Sequence, residues 1–361
     1  MLVMITTSIQ PYCHDIAHIL GLPYDFQHRF RYRSKWIDPA CTRKYLEGKQ
    51  TLLVLRDNEK AEFIPIRYAV IERVLQAGEI NYIDFSVKNY SRKCDKEKLS
   101  SAIKEELRAR KITNDPGKEL GCLLFDVSKL EQIDISGDDS TADTLWSELL
   151  EDIGGLNCYK DFGFLRIVQI RDQKGKPTKV TRDSIGGPSY KLSPDQSYFL
   201  EVIQQIPWKI DETEAIENPY DVFLRAESGV TNVIRNVQKV VGKYDLLRFI
   251  FKTPVVTEEK HTFLELENKQ DIDAGKFRLP TVFIPITIDV PWFVPAIRIL
   301  RRVTAAVAVL AIMASNPVAE LLWADPEWIR DVALLILVAA TGKWEEVATG
   351  FVKKTKDVEL S

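Results

Sequence analysis

Thr281-Val-Phe-Ile-Pro-Ile-Thr-Ile-Asp289, followed by Val290-Pro-Trp-Phe-Val-Pro295, is where the chain changes its hydrophobic period. Up to Asp289 the run is strand-like and β-branched; from Pro295 onward the pattern is helical. From Val303 to Ala319 there is no charged residue, and a second apolar run extends from Val332 to Gly342. Between them lies the tryptophan-rich break Leu322-Trp-Ala-Asp-Pro-Glu-Trp328. A helix that is apolar on all sides must be buried, in protein or in lipid.

The pattern predicts one helix over 295–315 and a second over 326–341, the second capped by Asp325, opened by Pro326 and stopped by Gly342. Ala305, Ala306, Ala308, Ala311 and Ala314 permit close approach. An antiparallel apolar hairpin is therefore expected, held by Val307, Leu310, Leu334 and Leu337. Arg298, Arg301 and Arg302 stand near the start of the first helix, where they oppose its macrodipole and call for an anionic counterpart. Trp292, Trp323, Trp328 and Trp344 flank the apolar runs, as interfacial anchors do. Length argues against a spanning hairpin. Seventeen helical residues cover ~26 Å and eleven cover ~17 Å, against a hydrocarbon core of ~30 Å. What is left is burial against protein, or attachment to an anionic membrane surface.

Working back from Thr281, short strands recur between turn signals from Leu156 onward. They are expected over 163–171, 176–182, 197–204, 220–226, 244–253, 262–267 and 281–288. About seven strands over some 135 residues is the spacing of an antiparallel sandwich. The turn-then-strand edge Leu192-Ser-Pro-Asp-Gln-Ser-Tyr-Phe-Leu-Glu-Val202 gives 156–289 an immunoglobulin-like character. Before it, 137–155 holds six acids and no base, with Ser140 as a candidate cap and Leu145, Trp146, Leu149 and Ile153 on one face. This reads as an acidic linker helix.

The first 136 residues read as a β-rich module with one charged helix. A helix is expected over 8–20, with Gly21 as its left-handed stop. Strands at 51–56, 61–75 and 80–87 form a meander, and 121–127 returns as a buried strand. In the charged helix 95–111, Leu99, Ile103 and Leu107 make a narrow apolar stripe.

The sharpest local pattern is His28-Arg-Phe-Arg-Tyr-Arg-Ser-Lys-Trp36. Read as a strand, it places Arg29, Arg31, Arg33 and Lys35 on one face and Phe30, Tyr32 and Trp36 on the other. Cations at that spacing, roughly 6.5–7 Å, suit a polyanion; the plainer alternative is the wet face of a half-buried strand. His14 and His18, four apart, have metal-ligand spacing but no second ligand pair.

Composition narrows the classes further. At 28% charged and 45% hydrophobic residues, the 361-residue chain is that of a folded, multi-domain protein. A net charge of -3 gives no overall attraction to nucleic acid, which makes nucleic acid a disfavoured partner. Five scattered cysteines without a CxxC pair speak against a disulfide framework or zinc ribbon. Met1 to Ser8 has neither a basic start nor a long apolar core, so no signal peptide is expected and a reducing cytoplasm fits. No P-loop, GxGxxG, GxSxG, HExxH or EF-hand pattern occurs, so neither catalytic residues nor a cofactor are expected.

The expected fold is thus mixed α/β and β-dominated: a β-rich module over 1–136, the linker helix, the sandwich, and an apolar helical subdomain over 290–361. The expected function is that of a non-catalytic cytoplasmic binding or scaffold protein. Its partner would be another protein, or a second copy of itself, held through the C-terminal helices. Two alternatives stand beside it: a membrane-acting effector at the inner membrane face, whose helices insert when triggered, and a polyanion-binding module built on 29–35.

Overall fold

The computed structural model describes residues 1–9, 12–91, 96–117, 120–127, 142–159, 163–182, 187–206, 220–226, 231–240, 242–256, 258–269, 282–291, 293–313, 331–333 and 336. Its architecture is mixed α/β and β-dominated, with three sheets. The chain groups into two compact units. One holds Met1–Lys191, Ser197–Lys252 and Thr262–Ile286; the other holds Leu192–Gln196, Thr253–His261 and Thr287–Ser361.

In the first unit, β1 (Leu2–Thr7), β2 (Gln27–Arg33), β3 (Gln50–Asp57), β4 (Glu62–Ala77), β5 (Ile80–Tyr90) and β6 (Leu123–Asp126) form one sheet. Their order is β2-β5-β4-β3-β1-β6. β1 runs parallel to β3 and antiparallel to β6. The central strands are buried on both faces, which is why Thr51-Leu-Leu-Val-Leu55 is a continuous apolar run rather than an alternating one. The one-turn α2 (Arg43–Leu46) precedes β3. One face of the sheet is covered by α3 (Lys96–Ala109), which buries Leu99, Ile103 and Leu107, the expected stripe, against Val3, Ile5 and Phe125.

The sheet also curls until its two edges meet. Just past β2, Ile37 forms a parallel bridge with Leu124 of β6, and Asp38 N donates to Leu124 O at 2.9 Å. Tyr32 Oη, on β2, donates to Ile5 O of β1 at 3.4 Å. The result is a near-closed barrel with one seam, between β2 and β6.

α1 (Tyr12–Gly21) packs on β7 (Phe164–Asp172). Gly21 does not take the left-handed conformation expected of it. A Cβ built there would lie 2.5 Å from Leu165 O, so the residue is glycine because a strand backbone passes against the helix end. The carbonyls at that end are satisfied instead by Arg67 of β4. Its guanidinium is buried, donates to Ile19 O and Leu22 O at 2.7 Å each and to Lys88 O at 2.6 Å, and stacks on Tyr90 at 4.4 Å. This caps the helix with a cation at its negative pole.

The second sheet has the order β12-β14-β10-β7, with β10 (Ser197–Gln205), β12 (Asn232–Arg235) and β14 (Tyr244–Lys252), and it is antiparallel throughout. The third has the order β13-β11-β15-β16-β9-β8, with β8 (Val180–Arg182), β9 (Pro188–Leu192), β11 (Tyr220–Ala226), β13 (Val237–Val240), β15 (Lys260–Lys269) and β16 (Val282–Ile288). β9, β12 and β13 fall where the sequence pattern gives turns or no element, because each is short and flanked by polar residues. α4 (Ala142–Ile153) buries Trp146, Leu149 and Ile153, as the linker-helix pattern predicts; its expected cap, Ser140, lies outside the described residues.

In the second unit, Thr253 Oγ1 donates to Ser193 O at 2.7 Å and Asp289 N donates to Leu192 O at 2.8 Å, binding its segments together. α5 (Phe293–Met313) is its long helix. Val294 and Ala308 are buried, whereas Val307 and Leu310, expected to hold a hairpin, are exposed. The partner helix expected over 326–341 lies almost wholly outside the described residues. Leu334 and Leu337 lie outside the described residues, as do Trp292, Trp323, Trp328 and Trp344. Among the described residues no helix is long and apolar enough to cross a membrane.

Candidate functional site

β2 alternates as its sequence predicts. Phe30 and Tyr32 are buried, while Arg29, Arg31 and Arg33 are exposed. Lys35 does not continue the row. The strand ends at Arg33, and Ser34–Trp36 is a single 3-10 turn, closed by Ile37 N donating to Ser34 O at 3.2 Å. Ser34 is fixed on the other side by its N–H to Glu79 O, at 2.7 Å, and by Asn81 Nδ2 to its Oγ, at 2.9 Å. Lys35 is thereby turned over the ring of Trp36, 5.0 Å from its centroid. The basic row is three arginines, not four cations.

Those three are not equivalent. Arg29 grips Asp84 of β5 with two nitrogens, the second at 3.0 Å, and Arg73 of β4 reaches the same carboxylate at 2.8 Å. Burial pushes the Asp84 carboxyl upward, but hydrogen bonds from Arg29 and Arg73 outweigh it and leave the pKa below the ordinary value. Arg29 is therefore largely compensated. Arg31 and Arg33 have no ion-pair partner among the described residues.

Behind them lies a cavity of about 210 Å³ at the seam of the sheet. Arg31 and Arg33 line it from β2, Thr6 from the end of β1, Tyr12 and Asp15 from α1, and Cys122 from the approach to β6. Tyr12 and Cys122 stand on the same wall of the cavity. Burial drives the Cys122 thiol up to about 12, and Cys122 together with burial raises the Tyr12 phenol, so both are neutral donors at pH 7. Asp15 Oδ1 stands 3.6 Å from His28 Nε2. Thr6 is 1% exposed, and its hydroxyl has no hydrogen-bond partner. Spacing along the chain gives no sign of Thr6, Tyr12, Asp15 or Cys122, since only the curling of the sheet brings them to β2.

The histidine pair resolves differently. His18 turns its ring to His28, 5.0 Å between centroids, and to Phe283, at 6.1 Å. His14 is held below its usual pKa by burial, with Asp15 opposing. Among the described residues no group of three or more His, Cys, Asp or Glu side chains is placed to hold a metal ion.

A second surface lies on α5. Ile299, Val303, Val307 and Leu310 recur at helical spacing and are 63%, 54%, 59% and 64% exposed. Arg302 is exposed on the same helix, and Arg298 and Arg301 belong to its first half.

The chain is thus defined by a β-rich architecture with a basic edge cavity and an exposed apolar helix. No family model matches it, and no curated protein does. Among solved structures it is similar to the N-terminal domain of PorA, with 11% identity and a TM-score of 0.19 over 34% of this chain and 96% of that one. A score of that size does not define a shared fold.

Proposed function

We propose that the chain is a non-catalytic cytoplasmic binding or scaffold protein that associates with a second copy of itself, or with another protein, through the apolar face of α5. The observation that carries this is the exposed stripe of Ile299, Val303, Val307 and Leu310. A helix that buries Val294 and Ala308 on one side and shows large aliphatics on the other has two apolar faces, and the second gains free energy only when something covers it. The four described cysteines are free thiols, in keeping with a reducing compartment. In this reading 156–289 is an immunoglobulin-like sandwich, 290–361 is an apolar helical subdomain, and the modules 1–136 and 137–155 precede them. Sedimentation velocity tests it: the chain should self-associate, and Leu310→Asp should weaken association tenfold or more while leaving the melting temperature unchanged. An unchanged sedimentation profile removes self-association. If the variant instead loses only its recovery with anionic vesicles, the membrane-acting alternative replaces it.

A second reading is favoured by Arg31 and Arg33, two exposed guanidiniums without ion-pair partners on one strand edge. In this reading the β2 edge binds a polyanion, measured as salt-dependent retention on an oligonucleotide column. Charge reversal at Arg31 and Arg33 should abolish retention with little change in thermal midpoint. Reversal at Arg29 as well would also set a carboxylate against Asp84 and weaken the fold.

A further inference from the structure

We infer that the seam cavity is a binding site for a compact phosphate monoester, about the size of a sugar phosphate, with its phosphate on Arg31 and Arg33 and its hydroxyls on Thr6 and Asp15. This deepens the second reading above: it takes the same two arginines and names what they hold.

Val87 N donates to Phe26 O at one end of the β2–β5 ladder, and Ser34 N donates to Glu79 O at the other. The register between them is unbroken, so the even-numbered residues of β2 carry the bonds to β5. The amides of Arg31 and Arg33 therefore face the strand's other edge, toward the seam, as β2 is the outer strand of its sheet. Edge amides and arginine side chains of the same two residues thus border the cavity, the donor types that proteins gather around a phosphate.

Thr6 supplies the second observation. A buried hydroxyl without a partner loses its hydration for nothing unless a ligand or water satisfies it. Here it belongs to a residue that lines the same cavity as the arginines, and it has no partner among the described residues. Asp15 adds an acceptor to the same wall, which suits a ligand hydroxyl and disfavours a second anionic group.

The cavity of about 210 Å³ has room for a phosphate that carries a small polyol, whereas an inorganic phosphate would leave the Thr6 and Asp15 side unfilled.

The full chain is titrated calorimetrically with ribose 5-phosphate and, separately, with inorganic phosphate. The ester should bind about tenfold more tightly. Arg31→Gln combined with Arg33→Gln should weaken both probes at least tenfold, and Thr6→Val should remove the preference for the ester while leaving inorganic phosphate unchanged. Circular dichroism checks that each variant is folded. If the double variant is not, Arg31→Lys, which keeps the charge and loses the fork, should still weaken the ester. The absence of saturable binding, or binding that survives both arginine changes, overturns the inference. Equal affinity for the two probes, insensitive to Thr6→Val, assigns the site to free phosphate and overturns the ester. Oligonucleotide retention is measured on the same variants. Retention that falls with the arginines while neither phosphate binds leaves the surface reading standing and sinks the cavity. Phosphate binding without retention does the reverse.

Discussion

At the scale of single residues, two positions show how much a neighbour decides. Gly21 sits under Leu165 O, where a Cβ has no room. Gly21→Ala should therefore cost about 1–3 kcal/mol, as an overpacked contact against a backbone does, measured by urea denaturation. The glycine itself was legible in the sequence as a helix end. Its reason was not, since Leu165 lies far along the chain and on a different sheet. Asp84 is the second case. Asp84→Asn removes the counter-charge of Arg29 and Arg73, so oligonucleotide retention should rise even as the fold weakens. Because both arginines are half-exposed, solvent screening limits that loss to about 1 kcal/mol.

Secondary elements behave as their periodicity predicts where one neighbour dominates, and otherwise where tertiary contacts decide. α3 shows its stripe in the sequence because Leu99, Ile103 and Leu107 face a single sheet. β2 shows its alternation for the same reason, yet its end at Arg33 is set by Glu79 and Asn81, which no local pattern reveals. The end of α1 likewise depends on Arg67, which reads in the sequence as an ordinary charge within a strand. Arg67→Met keeps the volume but strands the carbonyls of Ile19, Leu22 and Lys88. A loss of about 3 kcal/mol is expected, with α1 the first helix to lose amide protection in hydrogen exchange. On α5, Ala308 is buried while Val307 and Leu310 are exposed, and no local pattern reveals which face is covered.

For the molecule as a whole, stability should depend on pH through carboxylates caged by arginine. Glu201, on the central strand β10, accepts from Gln169 Nε2 at 2.8 Å, Arg171 Nε at 3.1 Å and Arg248 at 2.7 Å. Burial opposes ionisation, but these donors prevail and lower its pKa, as happens at Asp84. A carboxylate with a depressed folded pKa stabilises above its unfolded value of about 4 and loses that contribution as pH falls through the folded one. Melting temperature should therefore fall as pH drops below about 4 and on through the depressed folded values. Glu201→Gln with Asp84→Asn should be less stable at neutral pH and show a shallower acid slope. An equally steep slope in the double variant would place the acid sensitivity elsewhere.

The strand β1 carries one more consequence. It lies between β3 and β6, so Leu2 to Ile5 are flanked by residues 51–54 on one side and 123–126 on the other. On a ribosome, β1 is thus a central strand that leaves the exit tunnel more than a hundred residues before its partner β6. Until that partner emerges, one edge of an almost wholly apolar segment stays unpaired, and the β2–β6 seam cannot form. The birth of the cavity is therefore timed by the emergence of β6, and a nascent chain halted before Leu123 carries the three arginines of β2 without the wall that gives them a ligand.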